Sequence, residues 1–157
     1  MSPPIDLNQR VRLLGELRLR QRLFVDVLQS LLFTARDPRR QPGALIQARY
    51  QLGVTIRQRR AAIEEILGLP AYTPEARACA AASRDARDRM HAAHLAQLGT
   101  WPAVRMEAEP GTLAAELGAR LDDLIARADE EAEAAIRFLD HVPVPDLAFP
   151  WLTRTAS

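Results

Sequence analysis

The sequence contains no lysine: all 21 of its basic side chains are arginine. That excludes Schiff-base chemistry and the lysine of a phosphate-binding P-loop. A GC-rich coding bias is the simplest account, since alanine, arginine and proline are all abundant. Cysteine is nearly as scarce. The single Cys79 rules out an intrachain disulfide and points to a reducing compartment. Aromatics make up only 5% of the chain, so a core must be assembled from Leu, Ile, Val and Ala. With β-branched and aromatic residues so few, closely packed helices are expected rather than a sheet. Long apolar runs are missing too. The longest, Leu23 to Phe33, is interrupted by Asp26 and is too short to span a bilayer. The first residues, MSPPIDLNQ, have neither the basic start nor the apolar run of a signal peptide. A soluble, cytoplasmic protein without membrane attachment is the expectation.

What is present is helical periodicity. In Thr112 to Leu139 the apolar positions Leu113, Leu117, Leu121, Leu124, Ala128, Ala132, Ala135/Ile136 and Leu139 recur every three or four residues. On the opposite face Glu116–Arg120, Asp123–Arg127 and Glu133–Arg137 each place the acid four residues before the base, the favourable order. A helix of this kind must cover its apolar stripe, so the remaining segments are read as its packing partners.

At 157 residues one domain is expected, long enough to bury a core. Asp6 with Gln9 predicts the cap of a first helix reaching about Arg36, with Leu7, Val11, Leu14 and Leu17 inward. From Leu19 onward its apolar face widens through Phe24, Leu28, Leu31 and Leu32, which implies two neighbours. Leu17 to Val27 also alternates almost like a strand, but Leu, Arg and Gln favour helix and no second strand-like run exists to pair with it. Asp37 to Gly43 is a turn broken by two prolines. A second helix, about Ala44 to Leu67, is predicted to end on a left-handed Gly68 with Leu69 folding back and Pro70 blocking continuation. Arg59 lies close to its apolar stripe, and either snorkels at the edge or meets an acid from the last helix. Thr73-Pro74-Glu75 is the clearest start, opening a third helix to Leu98 with the small stripe Cys79, Ala82, Ala86, Met90 and Ala93. On that stripe Cys79 is expected to be a buried small hydrophobe, not a nucleophile. The predicted fold is therefore all-α: an antiparallel bundle of four main helices over residues 1–140, followed by an extended Pro-rich tail over 141–157. That tail keeps Phe149, Trp151 and Leu152, so it is expected to be ordered and to bury its rings on its own bundle or on a partner.

Charge divides unevenly along the chain. Residues 1–72 carry 12 Arg against 6 acids, and residues 73–157 carry 9 Arg against 14 acids. The plain reading is a basic half packed on an acidic half. A nucleic-acid surface is disfavoured, because the arginines of the first helix do not share one face and no aromatics lie between them to stack on bases.

Chemistry is sparse. Asp88, His91 and His94 step along one helix at intervals of three and are the candidate metal ligands, with Glu130, Glu131 and Glu133 as added oxygen donors. The paired Glu-x-x-His units of di-iron bundles are missing. Arg89 and His94 enclose four residues, a spacing that RNA-cleaving helical bundles use on the RNA backbone. With 21 Arg and three His, roughly one such spacing arises by chance. Arg87–His94 and Arg84–His91 fit equally well. No phosphate loop, Ser/His/Asp set or cysteine pair is present, and no cofactor is expected. The leading expectation is a non-enzymatic protein-interaction module, such as an adaptor, chaperone or accessory subunit, binding a protein partner or itself as a homodimer. Its partner-binding candidates are Phe24, Leu28, Leu31, Phe149, Trp151 and Leu152. The alternative is a metal-dependent or RNA-cleaving bundle centred on Asp88, His91 and His94, and after it nucleic-acid binding through the Arg-rich first half.

Overall fold

Asp6 starts the first helix by accepting a hydrogen bond from the Gln9 amide at 2.7 Å, which satisfies one of the donors a helix start leaves free. α1 then runs Leu7–Arg36 without interruption, so the strand-like alternation of Leu17 to Val27 is overridden by helix propensity and packing. The computed structural model describes residues 5–37, 39, 41, 43–95 and 110–144, with side chains of the last helix from residue 115 onward. α2 is Ala44–Leu67, α3 is Pro74–Met90 and α4 is Pro110–Asp140. No strand occurs among the described residues. Thr73 caps α3 as its sequence requires, its hydroxyl accepting from the Ala76 amide at 3.1 Å.

Side-chain pairs fix the helix directions. Arg12 with Glu65 and Arg20 with Gln58 run α1 against α2, while Arg10 with Asp140 and Gln21 with Asp129 run α1 against α4. Arg89 with Glu130 and His94 with Asp123 run α3 against α4. The result is an all-α antiparallel bundle in which α4 packs against each of the other three helices, meeting α2 across the diagonal. Two of these pairs, Arg10 with Asp140 and Gln21 with Asp129, join the basic first half of the chain to its acidic second half.

The core has two apolar parts. One joins Phe24, Leu28 and Leu31 of α1 to Leu45 and Leu52 of α2 and to Leu117 and Leu124 of α4. The other joins Leu13 and Leu17 to Ile63 and Ile66 and to the alanines of α3 and α4, with Phe138 at its centre. Alanines meet across the α3–α4 seam, which lets these two backbones approach closely.

Four local readings are corrected. Leu7 and Val11 are exposed, whereas Leu17 is buried as expected and Leu13 is buried beside it. That stripe wins because it continues unbroken through Phe24, Leu28, Leu31 and Ala35. On α3 the buried face is Ala76, Ala80, Ser83, Ala86 and Met90, leaving Ala82 exposed and Cys79 half-buried. An alanine-rich helix offers more than one face of this period, and the Ser83 hydroxyl donating to the Glu131 carbonyl at 3.0 Å selects one. Gly68 is right-handed, not left-handed (φ −76°), and an added Cβ there would sit 3.1 Å from the Glu64 carbonyl, a tight contact that the backbone would have to relieve by a few tenths of an ångström. On α4 the Asp123–Arg127 pair forms at 2.9 Å, whereas Glu133 and Arg137 do not pair.

α3 continues into a π-helical turn, His91–Leu95. Five residues of α-helix would rotate a side chain by about 140°. The wider turn reduces that offset, and Met90 and Leu95 both reach the core. The expected stop at Leu98, Trp101 and the tail residues Phe149, Trp151 and Leu152 lie outside the described residues.

Candidate functional site

Between α1 and α4 lies an open groove of about 390 Å³. Leu17 and Val25 from α1 and Ile125, Ala132 and Ile136 from α4 give it an apolar floor. Its rim carries Arg18, Arg22 and Asp26 on one side and Glu133 on the other. None of these four rim charges takes part in an ion pair among the described residues. The floor is held firmly at mid-length. Gln21 donates to Asp129 at 2.6 Å from its amide nitrogen, and its amide oxygen accepts from Arg59 at 2.6 Å.

Arg59 is the polar centre of the molecule, only 3% exposed. Its guanidinium binds Gln21 of α1, the buried Glu131 carboxylate of α4 and the Ala128 carbonyl at 2.6 Å, and it sits over the Phe24 ring at 5.2 Å. Ser83 of α3 adds its bond to the Glu131 backbone, so all four helices meet here, between the two apolar parts of the core. Of the two fates open to Arg59 in sequence, the structure selects the acid of the last helix. Removing one partner of such a buried ion pair is strongly destabilising, whereas replacing both by apolar residues is often neutral or stabilising.

The sequence-derived chemical candidates do not converge. Arg89 binds Glu130 at 2.8 Å while His94 binds Asp123 through Nε2 at 2.5 Å. Those two acids are about 10 Å apart along α4, so Arg89 and His94 are held at separate levels. Asp88 lies 3.4 Å from Arg87, and with His91 it lines an open hollow beside Arg60. Among the described residues no three His, Cys, Asp or Glu side chains gather closely enough to hold a metal ion. Glu130 and Glu131 are engaged by arginines, and Glu133 faces the groove. Phe24, Leu28 and Leu31 are buried in the core and present no surface to a partner. Of the twelve arginines of the first half, Arg10, Arg12, Arg20 and Arg59 each hold an acid of this chain. Among the described residues no helix is long and apolar enough to cross a membrane.

Sequence reasoning missed the groove because its floor is drawn from two helices and no single stripe announces it. The visible signal was the further apolar residues of α1, among which Val25 follows Leu14 at helical spacing.

Away from the groove, Asp123 gives the fold a pH dependence. Its hydrogen bond from His94, and then that from Arg127, hold its carboxyl below the usual carboxylate range. A group with a depressed folded pKa stabilises the fold above its unfolded value of about 3.9. That contribution is lost as pH falls through the folded value. Asp123→Asn is therefore expected to flatten the acid limb of stability against pH while leaving its neutral limb parallel to wild type. Urea midpoints measured from neutral to acid pH check this, and an unchanged acid limb contradicts it.

In comparisons with protein families, curated proteins and solved structures, nothing matches this chain.

Proposed function

We propose that this chain is a cytoplasmic, non-enzymatic protein-interaction module whose α1–α4 groove receives an apolar polypeptide segment flanked by charges. The observation that carries this reading is the groove itself: an apolar floor bordered by Arg18, Arg22, Asp26 and Glu133, none spent on an ion pair among the described residues. Burying apolar floor supplies affinity, and unpaired rim charges of both signs supply register and choice of partner. A protein partner or a second copy of the chain would present such a segment as a helix or extended strand. No observation favours the enzymatic alternative, since Arg89 and His94 are each tied to a different acid.

A photo-reactive residue at Val25, compared with one at the exposed Glu75, tests the reading in extract of the source cell. Adducts are expected from position 25 and not from position 75. Ile125→Glu, which places a carboxylate on the floor, is expected to reduce them at least tenfold without loss of helix by circular dichroism. Equal yields at the two positions, indifferent to Ile125→Glu, would overturn the proposal.

A further inference from the structure

α1 and α4 keep one antiparallel register on either side of the groove. Arg10 binds Asp140, Gln21 binds Asp129, and a Cβ added to Gly118 would touch Leu32 at 3.9 Å. Equal steps of eleven residues separate these three levels on both helices, so the register does not slip. Arg18 therefore stands level with Ala132, beside Glu133, and Arg22 stands level with Ala128, beside Asp129. The two walls of the groove differ in sign: Arg18 and Arg22 line it from α1, Asp129 and Glu133 from α4 at the same heights. Asp129 accepts from Gln21 through one carboxylate oxygen only. Asp26, one turn beyond Arg22, stands outside this pattern. Leu7 and Val11 precede Leu14 and Arg18 at steps of four, three and four, so they extend the α1 wall; both are exposed.

Such a face is complementary to itself. A second copy related by a two-fold axis along the groove lays its α4 wall on this chain's α1 wall, and the reverse, at unchanged height. Arg18 then meets the partner's Glu133 and Arg22 the partner's Asp129, and symmetry makes each pair twice. Val25 and Leu14 come level with the partner's Ile125 and the partner's Ile136. An axis across the groove would instead set α4 on α4 and bring acid against acid, which is costly. Two open grooves face to face form the interior of a four-helix bundle in which every neighbouring pair is antiparallel. From Arg10 to Leu32 the helices run about 33 Å, and two helix widths of about 10 Å give a footprint of roughly 660 Å². A stable interface takes roughly 800 Å² of accessible surface from each partner, a similar size.

We infer that a second copy of this chain occupies the α1–α4 groove, forming a two-fold dimer with reciprocal Arg18–Glu133 pairs around a shared apolar floor. This rests on the groove being a polypeptide site, as proposed above, and identifies the polypeptide.

Sedimentation equilibrium of the purified full chain is expected to give a dimer. Arg18→Glu and Glu133→Arg, each checked for retained helix by circular dichroism, are expected to raise its dissociation constant at least tenfold. Neither side chain takes part in an ion pair among the described residues, so neither change removes a charge pair of the fold. The chain carrying both reversals is expected to recover most of the lost affinity. An equimolar mixture of the two single variants is expected to form the mixed dimer. That mixture excludes pairing within one chain, because neither copy carries both reversals. Three results would overturn the inference: a monomer at the highest soluble concentration, a dimer indifferent to both reversals, or reversals that fail to rescue one another. A monomer that still cross-links from Val25 in cell extract leaves the groove as a site for another polypeptide and removes only the second copy from it.

Discussion

Glu131→Leu is expected to destabilise the bundle by about 3–5 kcal/mol, the cost of leaving a buried charge without its partner. Arg59 would remain almost wholly buried, still donating to Gln21 and to the Ala128 carbonyl but with its counter-charge gone. In a domain of this size such a loss lowers the melting temperature by on the order of 10 °C. Adding Arg59→Met in the same chain is expected to recover most of the loss, because an apolar pair avoids desolvating two ions. Thermal and urea unfolding followed by circular dichroism give both numbers. If the double variant is no more stable than Glu131→Leu, the hydrogen bonds to Gln21 and Ala128 matter more than the charge pair. The node would then be a register device, not an electrostatic one.

Phe24→Ala should cost a similar amount, about 3–5 kcal/mol, for a different reason. The ring is 1% exposed, packs in the first part of the core and lies beneath the Arg59 guanidinium. Truncation leaves a cavity and removes the cation–π contact together. Phe33→Ala, at a ring 76% exposed on the same helix, should stay within about 0.5 kcal/mol of wild type. The contrast separates packing from surface. Equal effects at the two positions would mean that α1 is rotated relative to the arrangement described. Because Phe24 and Glu131 share Arg59, their combined variant should deviate from additivity. Any binding lost on Phe24→Ala would follow from the weakened fold, since this ring does not reach the surface.

The helices themselves were legible in the sequence. Asp6 with Gln9, Thr73-Pro74 and the period of Leu117, Leu121 and Leu124 specify starts and inward faces through local bonds and spacing alone. α2 runs from Ala44 to Leu67 as its composition predicts. The all-α class follows from the same facts, because no segment carries a pairable strand pattern. Residue chemistry also settled what Arg59 required, an acid or the surface, although it could not choose between them.

Tertiary structure decided which of several equivalent faces was used. α1 carries apolar residues on more than one face, and only contact with α2 and α4 leaves Leu7 and Val11 exposed while Leu13, Leu17 and Phe24 are buried. α3 is so rich in alanine that its period fits more than one face, and a single Ser83 bond to α4 fixes the rotation. The π-helical turn at His91–Leu95 exists because Met90 and Leu95 must both be buried, a demand made by the neighbouring helices. The groove and the Arg59–Glu131 pair belong to this second group, since each joins residues far apart in sequence. Periodicity is a property of one helix and is written locally. Rotation about the helix axis is set by what the other helices bury, and no single segment encodes it.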